Sequence, residues 1–141
     1  MQTFVPYASF HLSAMSLDRQ RLGKQRVETL QLLNAITGRS KGWTTHPAAV
    51  MWRDNPAGLA AYGVAVCQVW RSRGYNDTCE SKIIDIVQPD ASDLPEWWGD
   101  DRVHSSHRAN LLRKFPEHYS KFYWKEDPTM PYFWPTQEVT A

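Results

Sequence analysis

The strongest constraint on this chain is how clearly its helices are bracketed. Apolar residues recur at Leu59, Tyr62, Val66, Val69 and Trp70, a three-to-four spacing that lines one face of a helix. Pro56 suits the first turn of that helix, and Gly74 suits its C-terminal stop. A longer helix is predicted from an N-cap at Ser16 or Asp18 to about Ile36, ending at Gly38. Pro47 opens a short helix to about Arg53. Asn76 or Asp77 caps a segment running to Val87, and Ser105 or Ser106 caps a basic helix to about Lys114. Pro116 breaks that helix or opens a last short one through Tyr123. Residues 3–10, which include Pro6, read as an extended arm. Residues 39–46 and 88–102 read as loops, and the tail from Asp127, with Pro128, Pro131 and Pro135, reads as irregular. No stretch alternates with period two for long, so the predicted fold is all-α.

At 141 residues the chain is expected to form one domain over residues 1–141, large enough to bury a core without disulfides or metal. A hydrophobic fraction of 42% with 22% charged residues excludes a disordered tail or a fibrous repeat. No apolar run approaches the ~18 residues of a membrane helix. Residues 1–6 show no basic stretch followed by an apolar one, so no signal segment is visible. A cytoplasmic location is the expectation, with Cys67 and Cys79 as reduced thiols. Seven tryptophans in so small a domain exceed what core packing alone requires.

Net charge is only +1, but it is blocked along the chain. Residues 1–53 carry net +5, residues 54–101 net −6, residues 102–125 net +5, and the last sixteen net −3. If the first and third blocks fold together, one face is basic, as in a phosphate-binding protein. The alternative is that the blocks simply solvate opposite faces.

The densest chemistry lies between Asp18 and Glu28. At about 100° per residue, Arg19 and Arg26 share the face of Leu22, Leu30 and Leu33, while Arg21, Lys24 and Glu28 form a separate row. A charge beside the core stripe needs a partner or a water-filled cleft. Gly23 costs about 1 kcal/mol in a helix interior, a cost explained where a ligand or another backbone comes close. The bland reading is a solvated helix with an ordinary Lys24–Glu28 pair. Further on, Ser105, Ser106, His107 and Arg108 at a helix start suit an anion. His104 and His107 form an HxxH pair with no accompanying ligand at metal spacing, so no metal is expected. His107 reads equally as a neutral, hydrogen-bonded core residue. The segment from His118 to Lys125 alternates basic and aromatic groups, which suits unpaired bases or a packed core face. His46, after Trp43, suits a pocket; Trp52 and Arg53 suit stacking, an acid bridge or a loop anchor. There is no GxGxxG, GxxxxGK[ST] or GxSxG motif, which argues against nucleotide triphosphate or serine hydrolysis.

Taken together, these residues resemble the pyrimidine-dimer DNA glycosylase superfamily, the endonuclease V group, and most of all a bacterial and phage branch of it. The resemblance rests on the opening seven residues from Met1 to Tyr7, on Leu17-Asp18-Arg19 with the run from Arg21 to Thr29, and on His46-Pro47 with Met51-Trp52-Arg53. It continues through His104, Ser106-His107-Arg108, Leu111 to Lys114, Pro116, His118-Tyr119, Pro131-Tyr132 and Trp134-Pro135. The resemblance implies a compact all-α fold and DNA as substrate. It also implies attack on the sugar C1′ by the α-amine of a processed N-terminal threonine, assisted by a first-helix glutamate, with displacement of a nucleotide from the stack. An α-amine suits this chemistry because its pKa near 7.7–8 leaves a neutral fraction at pH 7.

The chain departs from that pattern at two positions. Residue 2 is Gln2, a bulky residue expected to block removal of Met1, and Arg21 aligns with the glutamate position. The expectation is therefore a DNA-acting protein that recognises a damaged or modified base, as an N-glycosylase with or without strand-cleaving lyase activity and with no cofactor. Glu28 or Asp18 would be the acid, and Met1 or Lys24 the amine. Arg19, Arg21, Lys24, Arg26, His46, Arg53, His104, His107, Arg108, Lys114 and Tyr119 are the expected nucleic-acid contacts, in a monomer. The competing readings are a non-catalytic nucleic-acid-binding module and an enzyme acting on a phosphorylated small molecule.

Overall fold

The expected helices form, together with one that the sequence reading did not place. A computed structural model describes residues 1–135. Its elements run in the order α1 (Phe10–Ser16), α2 (Arg19–Ile36), α3 (Pro47–Trp52), α4 (Pro56–Ser72), α5 (Cys79–Ile86), α6 (Asp101–Lys114) and α7 (Pro116–Tyr119), followed by a 3-10 turn (Ser120–Phe122). The described residues contain no strand, so the fold is all-α. The predicted irregular tail is irregular through Trp134; from residue 136 it lies outside the described residues. No helix among the described residues is long and apolar enough to cross a membrane.

Side-chain caps explain the boundaries. Asp18, rather than Ser16, caps α2, its carboxylate accepting the Arg21 N–H. Gly38 (φ +77°) and Gly74 (φ +94°) follow α2 and α4 in the left-handed region, where a Cβ would be strained. The start of α5 moves to Cys79 because the Asp77 carboxylate takes the N–H groups of Cys79 (3.2 Å) and Glu80 (2.9 Å). The Ser105/Ser106 cap is a misreading. Asp100 caps α6, accepting the Arg102 N–H at 3.0 Å, and both serines lie inside the helix. There the Ser106 hydroxyl bonds back to the Val103 carbonyl at 2.8 Å. The unplaced helix, α1, is only seven residues long and is started by Ser9, whose hydroxyl accepts the Leu12 N–H at 3.2 Å. So short an element carries no legible period.

Helices α2 and α4 pack along each other, α1 lies on α4, and α5 closes over both long helices. Leu22, Leu32, Leu33, Leu59, Val66 and Ile83 are fully buried between them, each worth about 1.5–3 kcal/mol of transfer free energy. Trp52 and Tyr62 are fully buried in the same core.

The N-terminal arm is extended as expected, but it runs through the core. Gln2, Thr3, Phe4 and Val5 are all buried. Extended backbone buried without a neighbouring strand must find its hydrogen bonds elsewhere, and here side chains from three helices supply them. From α2, Gln25 accepts the Phe4 N–H (2.9 Å) and donates to the Gln2 carbonyl (2.7 Å). From α4, the Tyr62 hydroxyl donates to the Phe4 carbonyl at 2.8 Å. From α6, His107 Nδ1 accepts the Val5 N–H (2.9 Å), His104 Nδ1 donates to the Val5 carbonyl (2.7 Å), and Arg108 donates to the Pro6 carbonyl (2.8 Å). The Trp52 indole N–H donates to the Thr3 hydroxyl at 2.9 Å.

Candidate functional site

The arm ends against α2, and the site is built at that junction. The Gln2 main-chain N–H donates to Glu28 Oε2 at 3.2 Å. The head of the chain and this carboxylate therefore lie side by side. Two clefts meet there. The larger, of about 850 Å³, is lined by Met1, Arg19, Gln20, Gly23, Lys24, Val27, Glu28, Gln31, Trp43 and Trp70. The smaller, of about 280 Å³, is lined by Met1, Gln2, Phe4, Gln20, Arg21, Lys24, Gln25, Glu28, Lys114 and Tyr132. Met1, Gln20, Lys24 and Glu28 border both.

Gly23 is explained by close packing inside the larger cleft. A Cβ built there would sit 3.0 Å from Cη2 of Trp70. The Trp70 ring is held by an N–H bond to the Asn76 carbonyl (2.8 Å), by Arg26 lying 4.5 Å above it, and by Tyr75 stacked at 4.3 Å. It is a fixed wall. Trp43 faces the same cleft from the loop between α2 and α3. It is 48% exposed and holds φ at +67°, a left-handed conformation uncommon for a bulky side chain.

The smaller cleft is cationic. The Lys114 ammonium is pushed below its usual pKa by burial and by the neighbouring cations Arg21, Arg113 and Lys24, with Glu28 opposing. The basic blocks of the first and third chain segments thus converge here. Among the described residues, Arg19, Lys24 and Lys114 have no ion-pair partner within 4.0 Å. The ordinary Lys24–Glu28 pair does not form within 4.0 Å; Glu28 accepts the Gln2 N–H instead. Arg21 reaches the cleft while paired with Asp18 at 3.2 Å. Burial pushes the Tyr132 phenol up to about 12.

His46 borders the site from α3. Its Nδ1 accepts the Ala48 N–H at 3.0 Å, which places the ring proton on Nε2 in the neutral form. Burial and the nearby N-terminal amine lower its pKa, against the pull of Glu28. Its ring meets Trp43 edge-on at 5.6 Å and Trp134 at 6.2 Å. Arg53 braces the preceding loop by donating to the Thr44 carbonyl.

Several of the expected contacts have other partners. Arg26 turns to Asp77 (2.7 Å) and covers Trp70. Burial pushes the Asp18 carboxyl up, but the Tyr119 hydroxyl, donating at 2.6 Å, and Arg21 more than offset this, so it sits below the usual range. Asp18 is thus a buried cap and Tyr119 its core partner; neither faces a cleft. His104, His107 and Arg108 serve the arm. Both ring nitrogens of His104 are taken, by the Val5 carbonyl and by the Gly99 N–H (3.1 Å), and Nδ1 of His107 by the Val5 N–H. Arg108 is paired with Glu126 (2.9 Å) and Asp101 (3.0 Å). The physical reason is common to all three. A buried extended segment takes the polar side chains nearest to it. Three cleft-lining or arm-holding residues were not singled out as contacts: Trp43, noted only as the neighbour of His46, Trp70, noted only on the apolar face of its helix, and Gln25, whose role depends on the arm being buried.

Fold and site together define an all-α protein with a cationic cleft built where its N-terminal arm meets a carboxylate on the first long helix. Comparison with known families identifies which one: the chain belongs to the pyrimidine dimer DNA glycosylase family, which it matches over residues 1–83. That span is more than half of the chain and contains Met1, Lys24, Glu28, Trp43, His46 and Trp70. It establishes a DNA-repair protein of the pyrimidine-dimer glycosylase type, with DNA as the substrate class. Searches of curated proteins and of solved structures found no match.

Proposed function

We propose that this chain removes a damaged or modified base from DNA at the junction of the two clefts, with Glu28 as the acid-base residue. The observation that carries the proposal is the 3.2 Å bond from the Gln2 N–H to Glu28, which seats the carboxylate beside the head of the chain. Arg19, Arg21, Lys24 and Lys114 hold the phosphates on either side of the target sugar. Glu28 then stabilises charge at C1′ and either orients a water or assists attack by an amine. Met1, the residue before the Gln2 N–H that Glu28 accepts, carries one candidate amine, and Lys24, on the same border of the two clefts, carries the second. Arg21, which aligns with the family's glutamate position, acts as a phosphate contact in this reading, and Glu28 supplies the acid from further along α2.

The test is a strand-cleavage assay on ultraviolet-irradiated duplex and on duplexes with single modified bases, read with and without hot alkali, using wild type and Glu28→Gln. The expected result is product from wild type and a loss of at least ~10²-fold in Glu28→Gln, with DNA affinity retained. Cleavage before alkali, with a borohydride-trapped adduct, assigns the amine route; cleavage only after alkali assigns water. Equal rates in both proteins would refute the role of Glu28. Salt-dependent binding without product on any substrate would make the chain a binding module.

A further inference from the structure

We infer that Trp43 is the stacking platform for a single unpaired base. This rests on the reading above, since it takes the cleft to receive DNA. Of the two indoles in the larger cleft, Trp70 is already engaged by Arg26, Tyr75 and Gly23. Trp43 is the one whose plane is open: it is half exposed, and among the described residues its one ring neighbour, His46, meets it edge-on at 69°. His46 is itself fixed, by the Ala48 N–H on Nδ1 and by Trp134 against its ring. The platform is therefore braced from the side while its face stays available. Lys24, Arg19 and Glu28 border the same cleft. A planar ring on Trp43 would thus have a cationic rim for its phosphate and the acid within the same cavity. Stacking on an indole does not read base identity. The cleft consequently selects for a base that has lost its partner, and the choice of lesion follows from how readily the duplex releases that base.

The experiment compares wild type, Trp43→Ala and Trp43→Phe on two duplexes, one fully paired and one carrying a single unpaired 2-aminopurine. Both affinity and 2-aminopurine emission are read. Wild type should prefer the unpaired-base duplex and quench its emission. Trp43→Ala should lose about tenfold in affinity for that duplex, lose the quenching, and keep its affinity for paired DNA within about twofold. Trp43→Phe should retain most of both signals. A loop position that is half exposed leaves the core intact, and matching circular dichroism spectra check this. Unchanged affinity and quenching in Trp43→Ala, with salt-dependent DNA binding present in wild type, would overturn the platform alone. Absence of DNA binding by wild type would overturn the proposed function and the platform with it.

Discussion

Acid should loosen this protein through His107, and the structure sets the size of the effect. The ring is fully buried, and Nδ1 accepts the Val5 N–H at 2.9 Å. Protonating Nδ1 would set two donors against each other and place a charge in the core. Burial first, then the charges of His104 and Arg108, push the pKa down to about 3 from an ordinary 6.5. A base whose folded pKa is lowered contributes stability at high pH and loses it as pH falls from the unfolded value towards the folded one. The window therefore opens near 6.5 and extends towards 3. At one pKa unit per 1.36 kcal/mol, acidification from pH 7.5 to pH 5 should cost about 2 kcal/mol through this residue alone. His104 and His46, also lowered, act in the same direction. Against the effect of burial, the carboxyls of Asp18 and Asp77 are held below the usual carboxylate range by their hydrogen bonds from Tyr119 and Arg26 and act only at lower pH. The assay is urea unfolding at pH 7.5, 6 and 5 for wild type and His107→Asn. Asparagine retains an acceptor for Val5 but does not titrate. The variant should be less stable at pH 7.5 and show a flatter pH dependence, by about 2 kcal/mol over the range. Parallel curves for the two proteins would refute the reasoning. In the folded protein the ring stays neutral down to about 3, so the arm keeps this anchor between pH 7.5 and 5 and only the folding stability falls over that range.

Tyr119→Phe should destabilise the fold by about 1–3 kcal/mol, because it leaves the buried Asp18 carboxylate and main-chain N–H without the hydroxyl that bridges them at 2.6 and 3.1 Å; thermal unfolding measures this, and DNA affinity should be unaffected once the protein is folded. Gly23→Ala gains helix propensity of about 1 kcal/mol but drives a methyl against Trp70 at 3.0 Å. With Trp70 pinned on several sides, the net effect should be destabilising by about 1 kcal/mol, together with altered Trp fluorescence; a more stable variant would mean that Trp70 is free to move.

The long helices were legible because their signals are local. Asp18 and Gly38 bracket α2, and Pro56 and Gly74 bracket α4, through backbone chemistry that acts within a few residues. The row of Arg21, Lys24 and Glu28 was likewise legible from helical spacing, and it does border the clefts. Helix α1 was not, since seven residues carry no period. The start of α6 was misplaced because Asp100, Ser105 and Ser106 are all good caps and only packing chooses among them.

The roles of the remaining charged and polar residues depended on one long-range fact, that residues 2–5 are buried as extended chain with no strand beside them. Their main-chain groups had to be satisfied by whatever polar side chains the helices brought near. That requirement turned His104 and Arg108, which the sequence offered as nucleic-acid contacts, towards the arm, settled His107 on the core reading that the sequence had left open, and buried Gln25 beside them. It also carried the head of the chain to Glu28. The sequence by itself determined that the chain is helical and that a cationic row with one carboxylate runs along α2, because helix periodicity is a property of neighbouring residues. The tertiary structure alone decided which of its charges line a cleft, because burial is set by segments distant in sequence.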